Sequence, residues 1–147
     1  MTALNSRAEK KPLLAAIGDN NNNNNSNNNI LLLDDEPEII EILKVGLEDN
    51  GFIVDAFTDP FLALEDFRNN SGNYSLVLSD VRMPGMNGFE FARKVREINP
   101  LVKILLMSAF EVSEFEFLNI KSTLKVDGFI RKPVSVEELI EKIQKVY

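Results

Sequence analysis

The chain contains no histidine and no cysteine. Without cysteine there is neither a disulfide framework nor a thiolate metal site, which fits a reducing compartment. Without histidine, zinc centres of the usual kind and triads built on a histidine base are excluded. The chain also cannot carry a phosphohistidine, so any phosphoimidazole donor must be another protein. Long apolar runs are missing too, the unbroken stretches falling well short of the ~18 to 20 residues that span a membrane. The amino terminus lacks the basic start and hydrophobic region of a secretion signal. Positive charge is scarce: 16 basic residues against 23 acidic ones leave a net charge of −7, which opposes nonspecific binding to nucleic acid or to anionic membrane. No stretch reads as a basic groove. A soluble, cytoplasmic protein is expected.

With 147 residues, 44% of them hydrophobic, the chain suits one domain around a single sizeable core. Residues 1–29 differ in composition from the rest, culminating in the asparagine run from Asn20 to Asn29 that only Ser26 interrupts. So polar a run offers no apolar surface to offset the entropy of ordering it, and residues 1–29 are expected to be a disordered tail. Within it Leu13 to Ile17 could form at most one helical turn. The domain is expected over residues 30–147.

Ile30 to Leu33 reads as a strand buried on both faces, because it does not alternate. Asp34-Asp35-Glu36-Pro37 then opens a helix with Ile39, Ile42 or Leu43, and Leu47 at helical spacing, stopped by Asn50-Gly51. Phe52 to Phe57 has the alternation of an edge strand, and Asp59-Pro60 opens a helix carrying Ala63, Leu64 and Phe67. The third strand is Leu76 to Ser79, and the helix after it carries Phe91, Ala92, Val95 and Ile98 and stops before Pro100. Val102 to Met107 is the fourth strand, Glu111 to Thr123 a helix without a clean apolar stripe, and Val126 to Ile130 the fifth strand. Val136, Leu139, Ile140, Ile143 and Val146 line the clearest amphipathic helix. Strands alternating with helices imply a parallel sheet covered on both faces. The expected class is a flavodoxin-like, doubly wound (βα)5 fold with strand order 2-1-3-4-5 and its site at the carboxyl ends of the strands.

Four strands end in chemically useful residues: Asp34 and Asp35 after the first, Asp80 at the third, Ser108 at the fourth, and Lys132 shortly after Phe129-Ile130 of the fifth. Pro84, Gly85 and Gly88 build the loop beyond Asp80. Three carboxylates so close repel one another, and a hard divalent cation with oxygen ligands and room for water, magnesium, relieves the conflict. The Lys132 ammonium and the Ser108 hydroxyl suit the oxygens of a transferring phosphoryl group.

The runs Ile30 to Pro37, Ser79-Asp80-Val81-Arg82-Met83-Pro84-Gly85-Met86-Asn87-Gly88, Met107-Ser108-Ala109 and Lys132-Pro133 together resemble the receiver domain of two-component response regulators. The resemblance covers roughly residues 30 to 147. It implies that Asp80 takes a phosphoryl group from a sensor histidine kinase or histidine phosphotransfer protein. It further implies that Asp34, Asp35, Asp80 and the backbone carbonyl of Arg82 hold magnesium. Ser108 and Phe129 are implied as switch residues, the first moving to bond the phosphoryl oxygen and the second turning inward. The Lys132–Pro133 peptide bond is implied to be cis. The protein would be a self-modifying phosphoacceptor rather than a turnover enzyme. As nothing follows the fifth helix, a stand-alone receiver is expected, signalling through a protein docked on the face of the fourth helix, fifth strand and fifth helix.

Plainer readings of the same residues stand beside these. Asp34 or Asp35 could cap the first helix, Asp80 could serve a turn, Ser108 and Lys132 could be an ordinary satisfied hydroxyl and a surface cation, and Phe129 could be core. A phosphorylation-independent interaction module with the same fold is the alternative for the whole chain. A nucleotide- or flavin-binding protein is disfavoured by the lack of a glycine-rich loop after the first strand. A phosphohydrolase using Asp80 as nucleophile would have to release phosphate from many substrates. Two departures stand out. Phe129 lacks the hydroxyl of the tyrosine often found there, and Phe110 and Arg82 flank the phosphoryl path and are expected to slow hydrolysis by shielding it. Phe115 and Phe117, two apart, cannot both face the core of a regular helix, so either one is expected on a partner surface or irregular local structure buries both.

Overall fold

The computed structural model describes residues 28–109 and 113–147, leaving aside the side chains at 114–117 and 121. The tail through residue 27, Phe110, and the side chains of Phe115 and Phe117 lie outside the described residues. Strands β1 (Asn29–Leu33), β2 (Ile53–Phe57), β3 (Leu76–Asp80), β4 (Lys103–Ser108) and β5 (Gly128–Arg131) alternate with helices α1 (Pro37–Asp49), α2 (Pro60–Asn70), α3 (Gly88–Ile98), α4 (Glu114–Leu124) and α5 (Val136–Val146). All strand pairs are parallel, and the sheet order is β2-β1-β3-β4-β5. This is the expected doubly wound arrangement, with β2 at one edge.

Each central strand feeds two cores, which is why its sequence reads as an unbroken apolar run. Ile30, Leu32, Leu76, Leu78, Leu105 and Met107 point to the face covered by α1 and α5. Leu31, Leu33, Val77, Ile104 and Leu106 point to the other, covered by α2 and α3, with Ile120 and Leu124 of α4 packed against it. Each buried Leu or Ile contributes roughly 1.5–3 kcal/mol of apolar transfer.

Local chemistry sets the element ends. Asp59 caps α2 by accepting from the Phe61 N–H at 2.9 Å, and Asn87 caps α3 by accepting from the Glu90 N–H at 2.9 Å. Gly51, at φ 93°, takes the left-handed turn after α1.

Every strand has at least one boundary one or two residues away from expectation, and for three strand starts the structure shows the reason. β1 begins at Asn29, inside the expected tail, because Asn29 pairs with Ile53 and its carbonyl accepts from the Ser75 N–H at 2.9 Å. β4 begins after Val102, whose carbonyl is taken by the Arg96 guanidinium at 2.6 Å. β5 begins at Gly128, not Val126, because Asp127 substitutes its side chain for a strand carbonyl. Its carboxylate accepts from the Ile104 N–H at 2.8 Å while its own N–H donates to the Ile104 carbonyl, also at 2.8 Å. No helix among the described residues is long and apolar enough to cross a membrane.

Candidate functional site

The carboxyl ends of β1, β3, β4 and β5 meet at one edge of the sheet, and the polar residues that follow the apolar runs meet with them. Asp34, Asp35 and Asp80 each offer a carboxylate oxygen, all within 4.8 Å of one another. Asp34 is fully buried and Asp80 is only 5% exposed, whereas Asp35 is half-buried at the rim. Lys132 reaches in from the end of β5, its Nζ 2.7 Å from Asp34 Oδ2 and 3.3 Å from Asp80 Oδ1. The carboxylates therefore have the Lys132 cation among them. The long Lys132 stem lets a residue at the far strand reach the middle of the cluster.

Asp34 does not cap α1. The N-cap position belongs to Glu36, which makes no side-chain cap, and Asp34 Oδ1 accepts instead from the Glu36 N–H at 3.0 Å. That bond turns the chain out of β1 and leaves Oδ2 for Lys132.

The electrostatics follow from burial and crowding. Desolvation, then the charge of Asp34, pushes the Asp80 carboxyl up to about 6, against the pull of Lys132 and a hydrogen bond from the Val81 backbone. Burial works against the Lys132 ammonium, but hydrogen bonding to Asp34 and the charges of Asp34 and Asp80 outweigh it, raising its pKa above the ordinary lysine value. An Asp80 that binds a proton this readily is a carboxylate short of positive charge. An all-oxygen donor set with one ligand at the rim fits a hard divalent cation such as magnesium better than a soft one.

Ser108 is buried at the end of β4, and its carbonyl accepts from the Lys132 N–H at 2.9 Å. The Lys132–Pro133 peptide bond is cis. Phe129 lies opposite Leu106 on β4 and packs against the second core, its ring half-buried beside Phe89. Arg82 lies in the exposed loop after β3. A cleft of about 520 Å3 opens over the cluster, with Asp35, Asp80, Ser108 and Lys132 on its polar side and Ile39, Ile42 and Pro133 on its apolar side.

The β3–α3 loop is held tightly. The Val81 N–H donates to the Met107 carbonyl at 2.9 Å, and the Gly88 N–H returns to the Val81 carbonyl at 2.7 Å. A Cβ on Gly88 would collide with the Asp80 carbonyl and come within 2.8 Å of Val81 Cα. Sequence reasoning does not single out Asn87 as the cap that orients α3 here. Its signal is an asparagine followed three residues later by Glu90.

Residues 30–144 match the family model described as the response regulator receiver domain. The chain belongs to that family. This receiver is 30% identical over 116 residues to the alkaline phosphatase synthesis transcriptional regulatory protein SphR of Synechococcus elongatus, covering 74% of this chain and 44% of that protein. It is 29% identical over 115 residues to the transcriptional regulatory protein CusR of Escherichia coli, covering 76% and 47%. The receiver thus spans about half the length of these relatives. Among solved structures, the chemotaxis protein CheY4 of Vibrio cholerae superposes with a TM-score of 0.73 at 28% identity, covering 81% of this chain and 98% of that one. TrrA of Thermotoga maritima, solved in complex with Mg2+-BeF, gives 0.69 at 35% identity over the same shares. The receiver is a two-component signalling domain, and phosphorylation of an aspartate is the mechanism of its family.

Proposed function

We propose that the receiver accepts a phosphoryl group on Asp80 from a partner's phosphohistidine in a magnesium-dependent reaction. The observation that carries this reading is the meeting of Asp34, Asp35 and Asp80 within 4.8 Å, with the Lys132 ammonium on both buried carboxylates. An Asp80 oxygen attacks phosphorus, the phosphorus–nitrogen bond to the donor imidazole breaks, and the donor keeps that electron pair as its ring nitrogen is freed. Lys132 moves its charge from the carboxylates to the phosphoryl oxygens, and the Ser108 hydroxyl donates to one of them. Magnesium, held by Asp34, Asp35, Asp80 and the Arg82 backbone carbonyl, would neutralise charge on the phosphoryl oxygens. Positioning and electrostatics carry the step, so the protein is a self-modified phosphoacceptor and not a turnover enzyme.

Phosphorylation then favours a conformer in which Ser108 and Phe129 have moved. The signal passes by docking on the face of α4, β5 and α5 or onward to a phosphotransfer partner. A complete reversal of a 1:99 equilibrium requires a bias of about 5.5 kcal/mol. A donor protein and a docked target, rather than nucleic acid or a membrane, suit the net charge of −7, and a cytoplasmic location suits a cysteine-free chain of this kind.

Intact-protein mass after incubation with acetyl phosphate and magnesium tests the reading. The wild type should gain one phosphoryl group, and Asp80→Asn or removal of magnesium should abolish the gain. A chain that gains nothing, and shows no magnesium-dependent response to beryllofluoride, is instead an interaction module that works without phosphorylation.

A further inference from the structure

Phe89 and Phe129 form an aromatic pair, ring centroids 6.2 Å apart and planes tilted by 55°. The pair joins the first turn of α3 to β5. Phe89 follows Gly88, whose N–H is bonded to the Val81 carbonyl at 2.7 Å, and Val81 directly follows Asp80. Because the Asp80 carbonyl occupies the space where a Gly88 Cβ would stand, the backbone carrying Phe89 is fixed against that of the proposed phosphoacceptor. Phe129 opposes Leu106, two residues before Ser108, on the sheet face that α2 and α3 cover.

Both rings are half-buried against the second core and do not belong to its fully buried set. Phe129 also has no hydroxyl, so no hydrogen bond from its own side chain biases its orientation. A tilted pair at this separation is favourable beyond the area it buries.

We propose that Phe89 is a positioning residue that latches Phe129 in its half-buried orientation and thereby sets how readily modification of Asp80 turns it. The latch rests on the reading of Phe129 as the switch aromatic of a receiver phosphorylated on Asp80. Phe89 meets no reacting atom and acts only through Phe129.

The test uses the full chain with its ten phenylalanines replaced by 4-fluorophenylalanine. Fluorine NMR follows the Phe129 resonance, assigned by its loss in Phe129→Leu, during titration with beryllofluoride in magnesium. Phe89→Leu and Phe89→Ala should lower the midpoint about two- to tenfold, the range to which the interaction of one aromatic pair converts. Phe89→Tyr, which keeps the ring, should keep the wild-type midpoint. A purely structural role would lower the melting temperature and leave the midpoint in place. A responsive wild-type resonance with unchanged midpoints in both truncations overturns the latch alone. A wild-type Phe129 resonance that ignores beryllofluoride overturns the switch reading and the latch with it, while the mass gain at Asp80 tests phosphorylation separately.

Discussion

Lys132 Nζ lies 2.7 Å from Asp34 Oδ2, joining residues 98 positions apart in the chain. Lys132 is 13% exposed at its side chain and Asp34 not at all, so the pair is a buried one. Removing one partner of such a pair leaves the other's charge uncompensated. Lys132→Met should therefore destabilise the metal-free protein by about 3–5 kcal/mol, and magnesium should recover part of the loss by binding only the folded chain. Urea unfolding with EDTA and with excess magnesium measures both. The same substitution should push the Asp80 carboxyl above its value of about 6, since Lys132 is among the groups holding it down.

Asp80 also makes stability depend on pH, with a sign opposite to that of a carboxylate whose pKa folding lowers. Its pKa is raised from 3.8 to about 6 on folding, so between those values the folded chain binds more protons than the unfolded one. Stability from this group is full below about 4, declines as pH rises through 6, and stays low above. In EDTA at pH 7, Asp80→Asn should be more stable than the wild type by about 1–3 kcal/mol. That advantage should shrink towards pH 4.5. An advantage independent of pH would show that the Asp80 charge is not its source.

The central strands and their polar endings were legible because physics made them local. Leu76 to Leu78 is apolar at every position because both faces of β3 are covered, and a parallel sheet then brings Asp34, Asp80, Ser108 and Lys132 to one edge. The Lys132–Asp34 bond was not legible, since nothing near either residue marks a partner 98 positions away. Nor was the start of β5, where the Asp127 side chain replaces a backbone acceptor. The Phe89–Phe129 pair escaped for a related reason. Phe89 sits in an ordinary helix start, and only the close approach of Gly88 to the Asp80 carbonyl directs it towards β5.

Gly88→Ala should be among the costliest single-methyl additions at the site. The added carbon meets the Asp80 carbonyl and lies 2.8 Å from Val81 Cα, both backbone atoms that no rotamer change can move aside. Overpacking of this kind costs about 1–3 kcal/mol, and relief by shifting the β3–α3 loop would displace Asp80 and the Arg82 carbonyl. The expected outcome is a lower urea midpoint together with weaker magnesium binding, followed by calorimetric titration. A destabilised variant with wild-type magnesium affinity would separate the loop's packing from the cation site.

Away from the site, Tyr74 places one hydroxyl between two carboxylates, 2.8 Å from Asp55 Oδ2 and also bonded to Asp66. The phenol has one proton to donate, so the two acceptors compete for it. Burial, then the hydrogen bonds to Asp66 and Asp55, raises the Tyr74 pKa beyond the usual tyrosine range. The folded chain therefore keeps its phenol proton where the unfolded chain loses it, and this contribution to stability is full below about pH 10 and lost above it. Absorbance at 295 nm should show no phenolate from Tyr74 at pH 10.5 while the protein stays folded. Tyr74→Phe keeps the ring stacked on Phe67 at 5.9 Å and loses only the hydroxyl, so it should cost about 0.5–1.5 kcal/mol at pH 7. The cost should fall at alkaline pH, where the wild type's unfolded state ionises. A cost that rises instead would mean that the phenol ionises within the fold.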